Sequence, residues 1–91
     1  MPYISQADRD MLDEKIEKLG LLLSNMDVEN DPGLLNYAIF RLCKVSMDLN
    51  KPRYAKLNSV AGVLSCVQNE IYRRIAVPYE DQKISENGDV K

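Results

Sequence analysis

The segment 32–49 constrains the fold most, because a helix built from it is apolar on nearly every face. Its apolar residues are Leu34, Leu35, Tyr37, Ile39, Phe40, Leu42, Cys43, Val45, Met47 and Leu49. Only Arg41, Lys44 and Asp48 form a strip with the polarity of a solvent-facing surface. A helix that is apolar all round is normally buried. In a chain of 91 residues, this pattern indicates a central helix that packs on two sides or is covered by a second subunit.

A first helix is predicted before this segment, over about residues 6–26. Ser5 followed by Asp8 is typical of an N-terminal capping box, with Asp in place of the usual Glu or Gln. Apolar residues then recur at steps of four and three, which places on one helix face Leu12, Ile16, Leu19, Leu23 and Met26. Such a stripe faces one partner or one core.

The two remaining helices are bounded by prolines. Asp31 and Pro32 supply an N-cap and a first-turn proline for the apolar helix, at about 32–49. A third and longest helix is predicted over about 53–77, and Pro78 either ends it or kinks it. The fold class is therefore all-α, in a three-helix bundle-like arrangement.

The chain has the length and composition of a single domain. It is 45% hydrophobic and 29% charged, which is ordinary for a globular chain. We expect a helical domain over residues 1–84 and a flexible, frayed C-terminal tail over residues 85–91.

Charge is distributed unevenly along the sequence. Residues 1–31 carry eight acidic against three basic side chains, whereas residues 41–74 carry seven basic against two acidic ones. An acidic first helix packed beside basic later helices gives internal charge complementarity; alternatively, the basic face serves an anionic ligand or partner. Nucleic acid is not an expected partner, because the net charge is −2 and the basic residues form no dense run.

The sequence lacks the usual residues of catalysis and cofactor binding. It has no histidine, the commonest general base and transition-metal ligand. No phosphate-binding loop or CxxC pair occurs, so no catalytic residue, cofactor or metal site is predicted. Cys43 and Cys66 have apolar neighbours and, without an export signal, are expected to stay reduced in the cytoplasm. No apolar run approaches the roughly 20 residues of a membrane span.

Carboxylates of the first helix allow one enzymatic alternative. Three- and four-residue steps, the spacing that helical magnesium sites use, separate Asp10, Asp13, Glu14 and Glu17. A magnesium-dependent nucleotide hydrolase could be built on them. Because Lys15 and Lys18 are interspersed, a solvated helix face is the favoured interpretation.

Polar residues on otherwise apolar helix faces form the candidate binding site. Asn36 falls in line with Phe40, Cys43 and Met47, and an amide buried there must find partners or cost about 1–3 kcal/mol. It either bonds a neighbouring helix or lines a polar seam between the second and third helices. The residues of this hypothetical ligand site are Asn36, Tyr37, Asn58, Asn69, Glu70, Tyr72, Arg73, Arg74 and Tyr79.

Several motifs together give the chain a family resemblance. They are MPYI at 1–4, GLLNYAI at 33–39, YxxLN at 54–58, GxLxCxxxExYRR at 62–74, PYExxK at 78–83 and ENGDV at 86–90, where x stands for any residue. In this combination the chain resembles a family of short uncharacterised proteins of bacteriophage and prophage genomes. The resemblance implies no activity, but its motifs include most of the candidate ligand residues.

We therefore expect a small, non-enzymatic accessory protein of phage type that forms a dimer or larger homo-oligomer in the host cytoplasm. It would capture a host protein or a small anionic ligand such as a nucleotide. In the ligand version, Arg73 and Arg74 meet phosphate and Tyr72 or Tyr79 stacks on a base. The alternatives are the hydrolase and a purely structural oligomerisation module.

Overall fold

A computed structural model describes residues 2–91 and confirms the all-α prediction. The elements are helix α1 (Gln6–Asn25), helix α2 (Gly33–Ser46), helix α3 (Tyr54–Ile71), a π-helical turn (Tyr72–Ala76) and helix α4 (Val77–Asn87). The described part of the chain contains no strand. None of its helices is both long enough and apolar enough to cross a membrane.

The first helix begins as predicted. The Ser5 hydroxyl accepts a hydrogen bond from the backbone N–H of Asp8 at 3.2 Å, which satisfies one of the free amides of the first turn. Asp31 does not cap α2 in the same way: the N-cap is Pro32, and no side chain bonds the first turn. The predicted Asp31 cap is therefore wrong.

Helices α1 and α2 end in the same motif. Asp27 and Asp48 adopt left-handed backbone angles, with φ of 62° and 49°. In α2, the N–H of Leu49 donates to the carbonyl of Lys44 at 3.0 Å, the bond that defines a Schellman ending. The apolar residue after each Asp is half-buried against the last turn. This motif stops α2 at Ser46, three positions before its predicted end.

The third helical segment continues through Pro78 instead of ending near Val77. A π-helical turn makes this continuation feasible, because the N–H of Val77 donates to the carbonyl of Tyr72, five residues back. Proline lacks an N–H, and here it occupies the first turn after the π-turn, where that loss is tolerated best. Helix α4 then extends to Asn87, into the segment predicted to fray, and stops at Gly88 with φ of 86°.

The helices do not enclose an interior. No side chain among residues 2–91 is buried, and the helices make little contact with one another. The radius of gyration is 16.6 Å, whereas a compact chain of this length has about 12 Å. The all-α fold is thus present, but a single chain leaves open the apolar faces that a bundle would close.

Candidate functional site

The N-terminal segment is tied to the end of α3 by a group of polar side chains, Tyr3, Glu70, Arg73 and Arg74, which we call the Tyr3 clasp. The Tyr3 hydroxyl donates to Glu70 Oε2 at 3.1 Å and accepts from Arg73 Nη2 at 2.8 Å. Arg73 also donates to both carboxylate oxygens of Glu70, at 3.2 and 3.0 Å. The Arg74 guanidinium lies over the Tyr3 ring, 5.9 Å from its centre.

The Tyr3 clasp is the main polar link between distant parts of the chain. Its bonds join residues 67 and 70 positions apart. Every other side-chain hydrogen bond found among residues 2–91 joins positions no more than eight apart. The clasp therefore links the N-terminal segment before α1 to the third helical segment.

Charge at the clasp is only partly balanced. Partial desolvation raises the pKa of Glu70, but hydrogen bonds from Arg73 and Tyr3 and the charges of Arg73 and Arg74 outweigh it, so the pKa of Glu70 is lowered. The bond to Glu70 and its charge raise the pKa of Arg73. One carboxylate thus faces two guanidinium groups, and the clasp keeps a net positive charge at neutral pH.

Glu70 forms its ion pair with Arg73, the nearer of the two arginines that follow it. An i, i+4 pair between Glu70 and Arg74 is the arrangement that α-helical spacing predicts. Instead, Glu70 pairs with Arg73, three positions on, at 3.0 Å. Both arginines lie on the π-helical turn, and Arg74 is placed over the Tyr3 ring, 5.9 Å from its centre.

One open apolar groove lies beside the Tyr3 clasp, and another lies between α1 and α2. The groove beside the clasp has a volume of about 290 Å³ and is lined by Pro2, Val63, Cys66, Val67, Glu70 and Ile71. A groove of about 230 Å³ between α1 and α2 is lined by Ile16, Leu19, Gly20, Leu23, Leu35, Ala38, Ile39 and Leu42. Both open to solvent and are almost wholly apolar, so they fit an apolar side chain better than a polar ligand.

The other predicted site residues are not brought together within one chain. Asn36 is exposed at the edge of a shallow groove on α2, and Asn58 and Asn69 are exposed on α3. Because α2 and α3 make little contact, no polar seam forms between them in the single chain.

The predicted tyrosines are also spread apart. Tyr37 lies exposed on α2 and Tyr72 on the π-helical turn. Tyr79 lies on α4, where the Lys83 ammonium is 5.4 Å from the centre of its ring. Tyr3 was not among the predicted site residues; its place in the MPYI motif was the one sequence signal that could have included it.

The acidic residues of α1 remain on an exposed helix surface. Asp10, Asp13, Glu14 and Glu17 are all exposed, and Glu14 pairs with Lys18 at 2.8 Å. No three His, Cys, Asp or Glu side chains within residues 2–91 are grouped so that they could hold a metal ion.

Comparison with known proteins places the chain in a family. Residues 1–90 match a family model described as a domain of unknown function, DUF6899. The chain belongs to this family. The DUF6899 match includes the whole Tyr3 clasp and all the helices, so the elements described above are parts of the family domain. No curated protein and no solved structure matches the chain.

Proposed function

We propose that this protein is a non-enzymatic binding protein that works as a subunit of a homo-oligomer, with its apolar core formed between copies. The observation that carries the proposal is the absence of a buried side chain in residues 2–91, despite the apolar faces of α1, α2 and α3. Isolated helices gain most of their stability from packing an apolar face. A second copy of the chain is a partner that is always present, at the same concentration as the first.

The exposed surface area indicates how much surface a second copy would cover. A folded monomer of 10.4 kDa exposes about 5,400 Å², whereas this chain exposes 8057 Å². The excess is about 2,700 Å² per chain, compared with about 800 Å² per partner in an interface of standard size. An excess this large is typical of obligate oligomers, in which folding and association are coupled.

The test is the mass of the protein in solution and its dependence on concentration. Light scattering coupled to size exclusion should give at least twice the monomer mass of 10.4 kDa. The urea midpoint should rise with protein concentration, because an oligomer unfolds to separate chains. A folded monomer whose urea midpoint does not depend on concentration would contradict the proposal.

Capture of a small anionic ligand or a host protein is the second candidate. It is favoured by the net positive charge of the Tyr3 clasp, where Glu70 pairs with Arg73 and Arg74 lies over Tyr3 without a carboxylate of its own. A phosphate could bond Arg74 while a base stacks on a nearby tyrosine. In this proposal the protein is a phage-type accessory protein acting in the host cytoplasm.

A thermal-shift series with nucleotides and cyclic dinucleotides tests the ligand version. Stabilisation that disappears with Arg74→Ala but persists with Arg9→Ala, an exposed arginine of α1, would support it. If no nucleotide raises the melting temperature of the wild-type protein, the ligand version fails while the homo-oligomer proposal is unaffected.

A further inference from the structure

Among residues 2–91, charged side chains on one helical segment form no ion pair with those on another. Residues 8–17 carry five acidic against two basic side chains, and residues 41–56 carry five basic against one acidic. Each ion pair formed among residues 2–91 joins positions three or four apart on one helical segment. Among residues 2–91, no ion pair therefore joins the acidic part of α1 to the basic part of the chain.

These two oppositely charged surfaces lie beside the open apolar faces. Asp13 and Glu17, four positions apart on α1, lie together to one side of the stripe that contains Ile16. Arg41 lies on α2 beside Leu42, which lines the groove between α1 and α2. Charged side chains thus border both apolar faces, the arrangement of a protein interface with an apolar centre and a polar rim.

We infer that a second copy of this chain covers these faces, with the acidic α1 surface of each copy against the basic 41–56 surface of the other. Two copies related by a two-fold axis form the contact twice, so that both acidic and both basic surfaces are matched. The apolar grooves between the charged rims are closed in the same contact. This arrangement rests on the homo-oligomer proposed above and specifies its interface.

A charge-exchange experiment tests the arrangement. The first variant carries Asp13→Lys and Glu17→Lys, and the second carries Arg41→Glu and Arg53→Glu. The first variant gives residues 8–17 a net positive charge and the second leaves residues 41–56 with no net charge, so each loses the attraction in both halves of the contact. We expect its self-association to weaken about 100-fold at low salt. In an equimolar mixture, one half of the contact is unchanged, and in the other half the introduced lysines of one variant face the introduced glutamates of the other. The mixture should therefore form a heterodimer in preference to either homodimer.

A matched control separates surface pairing from net charge. Glu80→Lys with Asp81→Lys changes the net charge by the same amount as the first variant, but on the exposed surface of α4. We expect this control to associate like the wild type. Sedimentation velocity and native mass spectrometry, at low and high salt, distinguish the homo- and heterodimers.

The outcomes separate this inference from the proposed function. A monomeric, folded wild type would overturn both. A wild-type oligomer whose charge variants also associate normally would overturn the interface alone. Weakened variants that do not recover on mixing would also overturn it, because the charges would then act within each chain.

Discussion

Phe40 provides the sharpest test of where the apolar core is formed. Phe40 is 61% exposed in the single chain, on a helix whose other faces are also apolar. A phenylalanine side chain buries about 150–250 Å², so about 120 Å² of Phe40 remains to be covered by another copy. At about 25 cal/mol per Å², that area corresponds to roughly 3 kcal/mol per subunit.

The Phe40→Ala variant therefore has two very different expected results. If Phe40 stays exposed, the substitution changes the free energy of unfolding by no more than about 0.5 kcal/mol, as at other surface positions. If a second copy covers it, the loss is about 3 kcal/mol per subunit, and the oligomer dissociates at higher protein concentration than the wild type.

Urea unfolding followed by circular dichroism, at several protein concentrations, measures both effects. Sedimentation equilibrium supplies the dissociation constant of the folded oligomer. Arg9→Ala, an exposed change on α1, is the control and should match the wild type in both measurements. A Phe40→Ala protein within about 0.5 kcal/mol of the wild type at every concentration would refute the reasoning.

Three further predictions concern the clasp and the helix ends. Tyr3→Phe removes the hydroxyl that links Glu70 and Arg73, and it should lower the thermal midpoint by less than about 5 °C, because the clasp is largely exposed. The lowered pKa of Glu70 means that its contribution to stability is complete above the ordinary carboxyl pKa and is lost as the pH falls through the lowered value. Thermal midpoints between pH 7 and pH 3 should therefore show the difference between wild type and Glu70→Gln shrinking as the pH falls; a constant difference would contradict the assignment. Asp48→Gly should stabilise the protein by about 0.5–1 kcal/mol in urea unfolding, since Asp48 has a left-handed φ of 49° that glycine adopts without strain, whereas no gain would mean that the Asp side chain contributes to the helix end.

The helices could be predicted because their signals are local. The Ser5 cap and the stripe through Leu12 lie within a few turns, where helical spacing relates sequence to position directly. The Asp48 ending was harder, because a left-handed residue is normally marked by Gly. The π-turn was not predictable: Pro78 shows that a regular helix is interrupted, and it carries no information on how the chain compensates.

The Tyr3 clasp could not be predicted because its members are far apart in the sequence. Helical spacing groups Glu70, Arg73 and Arg74 as polar residues, and in the structure Glu70 pairs with Arg73 while Arg74 lies over Tyr3. Their partner Tyr3 lies in an irregular N-terminal segment, where no period relates it to α3. Pairing across such a distance depends on tertiary structure, which propensity and spacing do not encode.

The separation of the predicted seam residues and the lack of buried side chains among residues 2–91 raise the same question, namely what covers these helix faces. Asn36 and Asn58 lie on exposed helix faces that do not meet within one chain, so neither amide is desolvated there. If a second copy closes the apolar faces, these amides lie next to the buried surface and need hydrogen-bond partners, since each orphaned one costs about 1–3 kcal/mol. Their partners would then come from the other copy, and they would restrict how two otherwise apolar faces align. In such an assembly, apolar area would supply the affinity, and the amides and charged rims would select one register among many.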